Sequence, residues 1–192
     1  MSNSSAKKQA DNANQTKYSS NKISYIGLIL LLFAVALFIS FLSYFVNGQY
    51  DQSTLVSFSD RESLPTNHLG KVGAHLSEFF VFKGFGIAAF IFVKILIGLA
   101  LQLFKAKDKR KSKAAIKASL FWDFYLLIVS SFIFSFIETK DFNLGGMIGF
   151  EINAFFSDYI GKIGTFLLFI LLLSFYFGFK YNLSIAKVVN GV

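Results

Sequence analysis

Polar and apolar residues along this chain are sorted into long blocks. Residues 1 to 22 are rich in Ser, Asn, Gln and Lys and show no apolar periodicity. Such a segment buries too little surface to offset the entropy of ordering, so a disordered basic cytosolic tail is expected there. From Ile23 to Tyr50 no charge appears for 28 residues, and Ile26 to Val46 is almost wholly Leu, Ile, Phe, Val and Ala. A helix of about 20 such residues crosses the ~30 Å hydrocarbon core of a bilayer. The run is too long for a signal peptide and ends in Tyr44-Phe45-Val46-Asn47 rather than in small residues, so it reads as an uncleaved first span. Three further blocks follow: Gly84 to Phe104, interrupted by Lys94 and Gln102; Ser119 to Ile137, interrupted by Asp123 and a few Ser; and Ile163 to Phe179, between Lys162 and Lys180. The expected fold is an all-α integral membrane protein with four transmembrane helices near 24–46, 84–104, 119–138 and 162–180. Together they make one four-span domain over 23–182, with 183–192 opening a cytosolic linker.

Between spans one and two, and again between three and four, lies a glycine-bearing amphipathic stretch. A shift of 76 places Gly70 on Gly146, Val72 on Ile148, Gly73 on Gly149, Leu76 on Ile152 and Phe79-Phe80 on Phe155-Phe156. One reading is a tandem two-span repeat, each unit being span, outer interfacial helix, span; the other is that Gly-x-x-Gly beside Phe is common in membrane sequences. On the first reading, amphipathic helices near 69–82 and 147–160 lie in the outer interface, too short and too polar to cross it. Their apolar stripes are Leu69, Val72, Leu76, Phe79, Phe80 and Ile148, Ile152, Phe155, Phe156, Tyr159. Lys71, His75, Glu78, Glu151 and Asp158 are then left toward water as an outer interaction surface.

Composition narrows the class. The chain is 54% hydrophobic with 26 Phe and one Pro, and only 16% charged, against roughly 25% in soluble domains; a conventional cytosolic enzyme is excluded. Zero Cys removes disulfides, thiolate nucleophiles and Cys-ligated metals. The net charge of +8 is unevenly placed. Thirteen Lys or Arg fall in the N-terminal tail, in Lys105 to Lys117 and in the stub holding Lys180 and Lys187; five (Arg61, Lys71, Lys83, Lys140, Lys162) fall on the other side, with eight acidic residues. Cytosolic loops retain positive charge near span ends, so both termini are expected in the cytosol. The basic run Lys105 to Lys113 could hold nucleic-acid phosphates by charge alone, but a short cytosolic loop carries such residues for topology and for anionic lipid.

Site chemistry is sparse. Gly70-Lys71 and Gly161-Lys162 lack the upstream Gly and the following Ser or Thr of a P-loop, and Gly84-Phe-Gly86 follows no strand, so neither nucleotide motif is present. His68 and His75 with Glu78 could ligate zinc, or could belong to an ordinary amphipathic helix. No catalytic residue, metal site or cofactor is expected. Lys94 and Asp123 are the informative charges, because an ionisable residue within a span faces a partner or a cavity. Their depths differ by ~9 Å at 1.5 Å per residue, which a Lys stem can largely cover. Two outcomes are open: an ion pair between spans, or separate snorkelling to each residue's own boundary.

Asn67-His-Leu-Gly-Lys-Val-Gly-Ala-His-Leu76 with Lys83-Gly-Phe-Gly86, and Leu144-Gly-Gly-Met-Ile-Gly149 with Tyr159-Ile-Gly-Lys-Ile-Gly164, stand before spans two and four, and Asn47-Gly-Gln-Tyr-Asp-Gln-Ser53 and Asp60-Arg61 follow span one. In these motifs and in its four spans the chain resembles the N-terminal membrane domain of FtsK-type bacterial DNA translocases. The resemblance implies a non-catalytic anchor in the bacterial inner membrane for a hexameric cytosolic ATPase that moves DNA at the division septum. It further implies a homo-oligomer, contacts with the bilayer and with division-site membrane proteins, and DNA reached only through a C-terminal motor. The chain ends at Val192, where a linker to such a motor would begin, and is expected to be a fragment or a stand-alone relative. From another class, a small four-span transporter or channel subunit would place Lys94 and Asp123 along a path; midplane polar residues and interrupted helices mark that class, and spans one and four carry almost none.

The charge split predicts the outcome of single Cys substitutions at Ser5, Ser112 and Ser59. On intact cells an impermeant thiol reagent should label only Ser59→Cys; labelling at Ser112→Cys instead would invert the topology.

Overall fold

The computed structural model describes residues 23–46, 65–105, 109–137 and 143–181, and these are helical almost throughout. The expected tail at 1–22 and the linker at 183–192 lie outside the described residues. Helix α1 runs Ile23–Val46. Helix α2, Gly70–Ser77, passes into a π-helical stretch, Glu78–Phe85, and a 3₁₀ turn, Gly86–Ala89, before α3, Phe90–Lys105. Helices α4 (Lys109–Phe134) and α5 (Gly146–Tyr181) complete the chain.

Among the described residues, four helical stretches are long and apolar enough to cross a membrane: Ile23–Val46, Gly70–Phe104, Ile116–Phe134 and Gly146–Tyr181. The second and fourth, at 35 and 36 residues, would measure over 50 Å if straight, well beyond the ~30 Å core. Each is broken near its middle by a glycine at positive φ, Gly86 (φ 61°) and Gly161 (φ 71°, ψ 165°). The part before each break is the connecting helix expected from the shifted glycines, and the part after it is the span. The first connection departs from the regular helix expected near 69–82. Its α-helical part ends at Ser77 and the backbone loosens into π geometry toward Gly84, itself outside helical φ/ψ. A π stretch inserts extra backbone per turn, which here brings the chain round to the break at Gly86.

The tandem repeat is explicit in the packing, but it needs two offsets. Asn67 and Asn143, 76 apart, build the same turn. Asn67 Oδ1 accepts from Leu69 N at 3.0 Å and its carbonyl from Gly70 N at 2.7 Å. Asn143 Oδ1 accepts from Gly145 N at 3.1 Å and its carbonyl from Gly146 N at 3.0 Å. Both turns end on a glycine at positive φ, 59° at Gly70 and 67° at Gly146, where any other residue is strained. The first spans α1 and α4 instead correspond at an offset of 91. Ser40 Oγ donates to Gly73 O (2.7 Å), and Ser131 Oγ to Gly145 O (2.6 Å), so a serine of each first span ties down the following turn or helix. Phe41 meets Phe80 and Phe132 meets Phe156, at centroid distances of 6.0 and 6.2 Å; Phe45 meets Phe90 and Phe136 meets Phe166, at 6.1 and 6.2 Å.

The first-repeat core forms because Ala34, Leu37, Phe41 and Tyr44 recur at helical spacing on one face of α1 and bury against Val81, Ala89 and Val93. Of the small residues available for close approach, Ala34 and Ala100 are fully buried, and a Cβ on Gly27 would press on the Phe104 ring and Ala100 O. Gly98 has open space around it among the described residues and is not such a contact.

Gly146→Ala and Gly70→Ala distinguish φ strain from collision. Each pays about 1 kcal/mol for a left-handed conformation, but a Cβ at Gly146 also collides with Gly86 N, Gly84 O and Val81 O, while that at Gly70 meets nothing within 4 Å among the described residues. In detergent-dispersed monomer, Gly146→Ala should lose about 1–3 kcal/mol more than Gly70→Ala, read from thermal unfolding by circular dichroism. Equal losses would contradict the junction described next.

Candidate functional site

The two repeats meet where backbone touches backbone. Ile87 N donates to Leu144 O at 2.9 Å, so the 3₁₀ turn of the first repeat rests on the Asn143–Gly146 turn of the second. A Cβ on Gly86 would collide with Leu144 O and Gly146 N. Only glycine fits at both positions, by contact as well as by φ. The π stretch and 3₁₀ turn also pack on α5 and α4, so this junction joins the halves together with the packing of α3 on α4.

Lys94 on α3 and Asp123 on α4 are brought together: Lys94 Nζ donates to Asp123 Oδ1, and Ser119 Oγ, one turn before Asp123, donates to Oδ2 at 3.3 Å. The pair is lopsided. The Asp123 side chain is 5% exposed and that of Lys94 57%, so the carboxylate is held in the bundle and the Lys stem reaches it along an open flank. Of the two outcomes left open by spacing, the geometry is the ion pair. A cavity of about 260 Å³ beside it is lined by Gly98, Gln102, Ile116 and Leu120, and Gln102 Oε1 is buried there with no hydrogen-bond partner among the described residues. An acidic group, a cation and an amide in one recess can hold a charge or a water chain; they form no nucleophile–base arrangement.

The proposed outer surface divides. Glu151 and Asp158 are exposed. Lys71 and His75 are half-buried, and Glu78 is turned inward, its side chain 13% exposed and 3.5 Å from Lys83 Nζ. The buried face of α2 is Gly73, Ala74 and Ser77, small residues that let the helix lie close on α1. That leaves Val72 and Phe79 of the expected apolar stripe exposed, while Leu76 and Phe80 join the core. His68 does not turn toward His75 as a zinc pair: its Nδ1 lies 2.9 Å from Ser43 Oγ, which also accepts from His68 N at 3.1 Å. Among the described residues no group of three or more His, Asp or Glu is placed to hold a metal.

Two features escaped the pattern of the sequence. One is the polar network of Ser40, Asn67 and Ser77, where Asn67 Nδ2 donates to Ser40 O at 3.0 Å and Ser77 Oγ to Gly73 O at 2.9 Å. The only signal was serine inside an apolar run. The other is a cavity of about 770 Å³ in the second repeat, lined by Phe136, Asn143, Asn153, Ser157, Lys162 and Phe166 among others. At the equivalent positions, the first repeat has Tyr44 and Glu78 where the second has Ser135 and Ala154, and the smaller side chains leave the space.

Lys94→Met should destabilise more than Asp123→Asn, because it leaves a buried carboxylate with one hydroxyl partner. A double-mutant cycle in detergent should give a coupling energy of about 0.6–2 kcal/mol. Strict additivity would show that the contact contributes nothing.

Residues 23–192 match a protein family described as the 4TM region of DNA translocase FtsK/SpoIIIE. No curated protein and no solved structure matches the chain.

Proposed function

Because the chain belongs to the 4TM-region family of the FtsK/SpoIIIE DNA translocases, and is therefore a multi-pass membrane domain of that class, we propose that it is the non-catalytic anchor and division-site interaction domain of such a translocase. The observation that carries the reading is the match over 23–192 to a chain whose four membrane-length helices fold as two span–connection–span units. The anchor sits in the bacterial inner membrane with both termini in the cytosol, as the basic residues at 1–22 and 105–117 favour. A cytosolic ATPase carries the chemistry, and DNA is reached only through it; this segment calls for no cofactor and no metal. Its partners are the bilayer, further copies of itself, and division-site membrane proteins that meet Lys71, His75, Glu151 and Asp158.

The packing supports an anchor over a transporter. The charges described within the spans, Lys94 and Asp123, neutralise each other, and the helix breaks at Gly86 and Gly161 adjoin the connections rather than the middle of a span.

A fluorescent fusion of residues 1–192 in a dividing rod-shaped bacterium tests the assignment. Enrichment at the septum is expected, together with absence of ATP hydrolysis by the purified segment and DNA retention that disappears with salt. A uniform membrane distribution would remove the division-site role, and salt-resistant, sequence-dependent DNA binding would remove the pure anchor.

A further inference from the structure

The two repeats close the space between first span, connecting helix and second span in different ways. In the first repeat it is full: Tyr44 is 5% exposed, and Ser77 and Val81 are 1% exposed. Their counterparts in the second repeat are Ser135, at the offset of 91, and Asn153 and Ser157, at 76. All three line the cavity of about 770 Å³. A ring has been exchanged for a small side chain, and the valine for a hydroxyl. The hydrogen bonds differ as well. Asn67 Nδ2 is taken up by Ser40 O at 3.0 Å and Ser77 Oγ at 3.4 Å. In the second repeat Asn143 Oδ1 accepts from Gly145 N at 3.1 Å and Asn153 Oδ1 from Ser157 Oγ at 3.2 Å. The amide nitrogens of both are therefore the ends left to donate into the cavity that both residues line. Lys162 lines it too. It stands directly after the break at Gly161, where a helix restarts and its first N–H groups favour an anion. Among the described residues no carboxylate lines the space.

We propose that this cavity binds one single-chain amphiphile with a phosphate head, the head held by Lys162, Asn143 and Asn153 and the chain laid between Phe136, Phe150 and Phe166. Charge decides the head. Three donor groups with no acid beside them call for an anion, and hydrogen bonds from an ammonium to phosphate are among the strong ones. A phosphate monoester presents three terminal oxygens, one for each donor, where a carboxylate presents two. The remaining lining, those three rings with Ile137 and Ile163, suits an alkyl or prenyl tail. Size decides the number of chains. The cavity falls among the pockets of roughly 300–1,000 Å³ that enclose one small ligand, so it takes a single chain and leaves no room for the second chain of a bilayer lipid. Position agrees: the cavity lies where α4 stops and the last span begins, at the edge of the hydrocarbon core, so head and tail each meet the medium they require. Tyr44 and Val81 close the corresponding space in the first repeat, which sets one ligand per chain. None of this takes a role in cell division as a premise, so its failure leaves the anchor reading standing.

The test titrates the full chain, in an uncharged detergent, with dodecyl phosphate and counts bound ligands by native mass spectrometry. One saturable ligand per chain is expected, with a rise in melting temperature as it binds. Lys162→Gln should weaken binding about 10- to 100-fold, while Lys83→Gln, which removes an equal charge outside the cavity, should leave it unchanged. Ser135→Tyr copies the first repeat's filling and should abolish binding, with circular dichroism showing the helical fold retained. Dodecyltrimethylammonium, inorganic phosphate and phosphatidylglycerol, each at the same concentration as the probe, should fail to displace it. The proposal is overturned if Lys162→Gln binds as the parent does, or if any of the three displaces the probe. Displacement by the ammonium compound would mark a merely apolar hole, by inorganic phosphate a site for a free anion, and by phosphatidylglycerol an ordinary contact with the bilayer.

Discussion

Next to lipid, a backbone N–H or C=O that leaves its helix has no water to turn to and must find a partner in the protein. The architecture follows from the way this chain meets that requirement. It interrupts its two long helical stretches, and each interruption exposes polar backbone. At the first, the freed groups are covered by another piece of the same chain: Ile87 N meets Leu144 O, with glycines at 86 and 146 letting the two backbones touch. Asn67 and Asn143 fold their side chains back over the turns they begin, Ser131 supplies a hydroxyl to a carbonyl within its turn, and Ser40 supplies one to a carbonyl just beyond its own. Serines and asparagines that look out of place in so apolar a sequence are thus what permits irregular backbone there at all.

Once the turns are fixed, the aromatic residues have little freedom left. Phe41 and Phe132 are both almost fully buried and each anchors a cluster with the connecting helix and the second span of its own repeat. The first repeat closes its interior with Tyr44, whereas the second has Ser135 and keeps a cavity. A second aromatic group forms where α4 meets α5: Tyr125 stacks on Tyr176 and donates to Leu172 O at 2.8 Å, with Trp122 edge-on to Tyr176. Lys180 Nζ lies 2.7 Å from Tyr176 Oη. Such amphipathic rings suit the headgroup level of a bilayer, and here they fasten the last helix to its neighbour near its end.

How much of this could be read from residues alone differs by feature. The spans were legible because length and charge exclusion are one-dimensional properties. The repeat was legible only in its second half. A single shift of 76 aligns connecting helices and second spans, but Ser40 and Phe41 align with Ser131 and Phe132 only at 91, so the first spans fell out of register. Spacing gave the depths of Lys94 and Asp123 but not the directions in which their helices face, which is why pairing and separate snorkelling remained equal until the packing was known. Gly84-Phe-Gly86 read as the start of a span because a glycine's φ is invisible in sequence. Glu78 read as water-facing because a carboxylate on an interfacial helix is expected to face water; here it turns inward beside Lys83, a partner that the π-helical stretch following it brings close.

The difference of fifteen between the two offsets also has an evolutionary meaning. All of it falls between the last shared position of each first span and the asparagine that opens the next turn, while the contacts on either side are retained in kind. Descent from a duplicated unit would then have tolerated gain or loss of fifteen codons at one place without disturbing what lies around it. The stretch between α1 and Asn67 is where the two repeats differ in length, while the asparagine and the positive-φ glycine of the turn that follows it are kept in both.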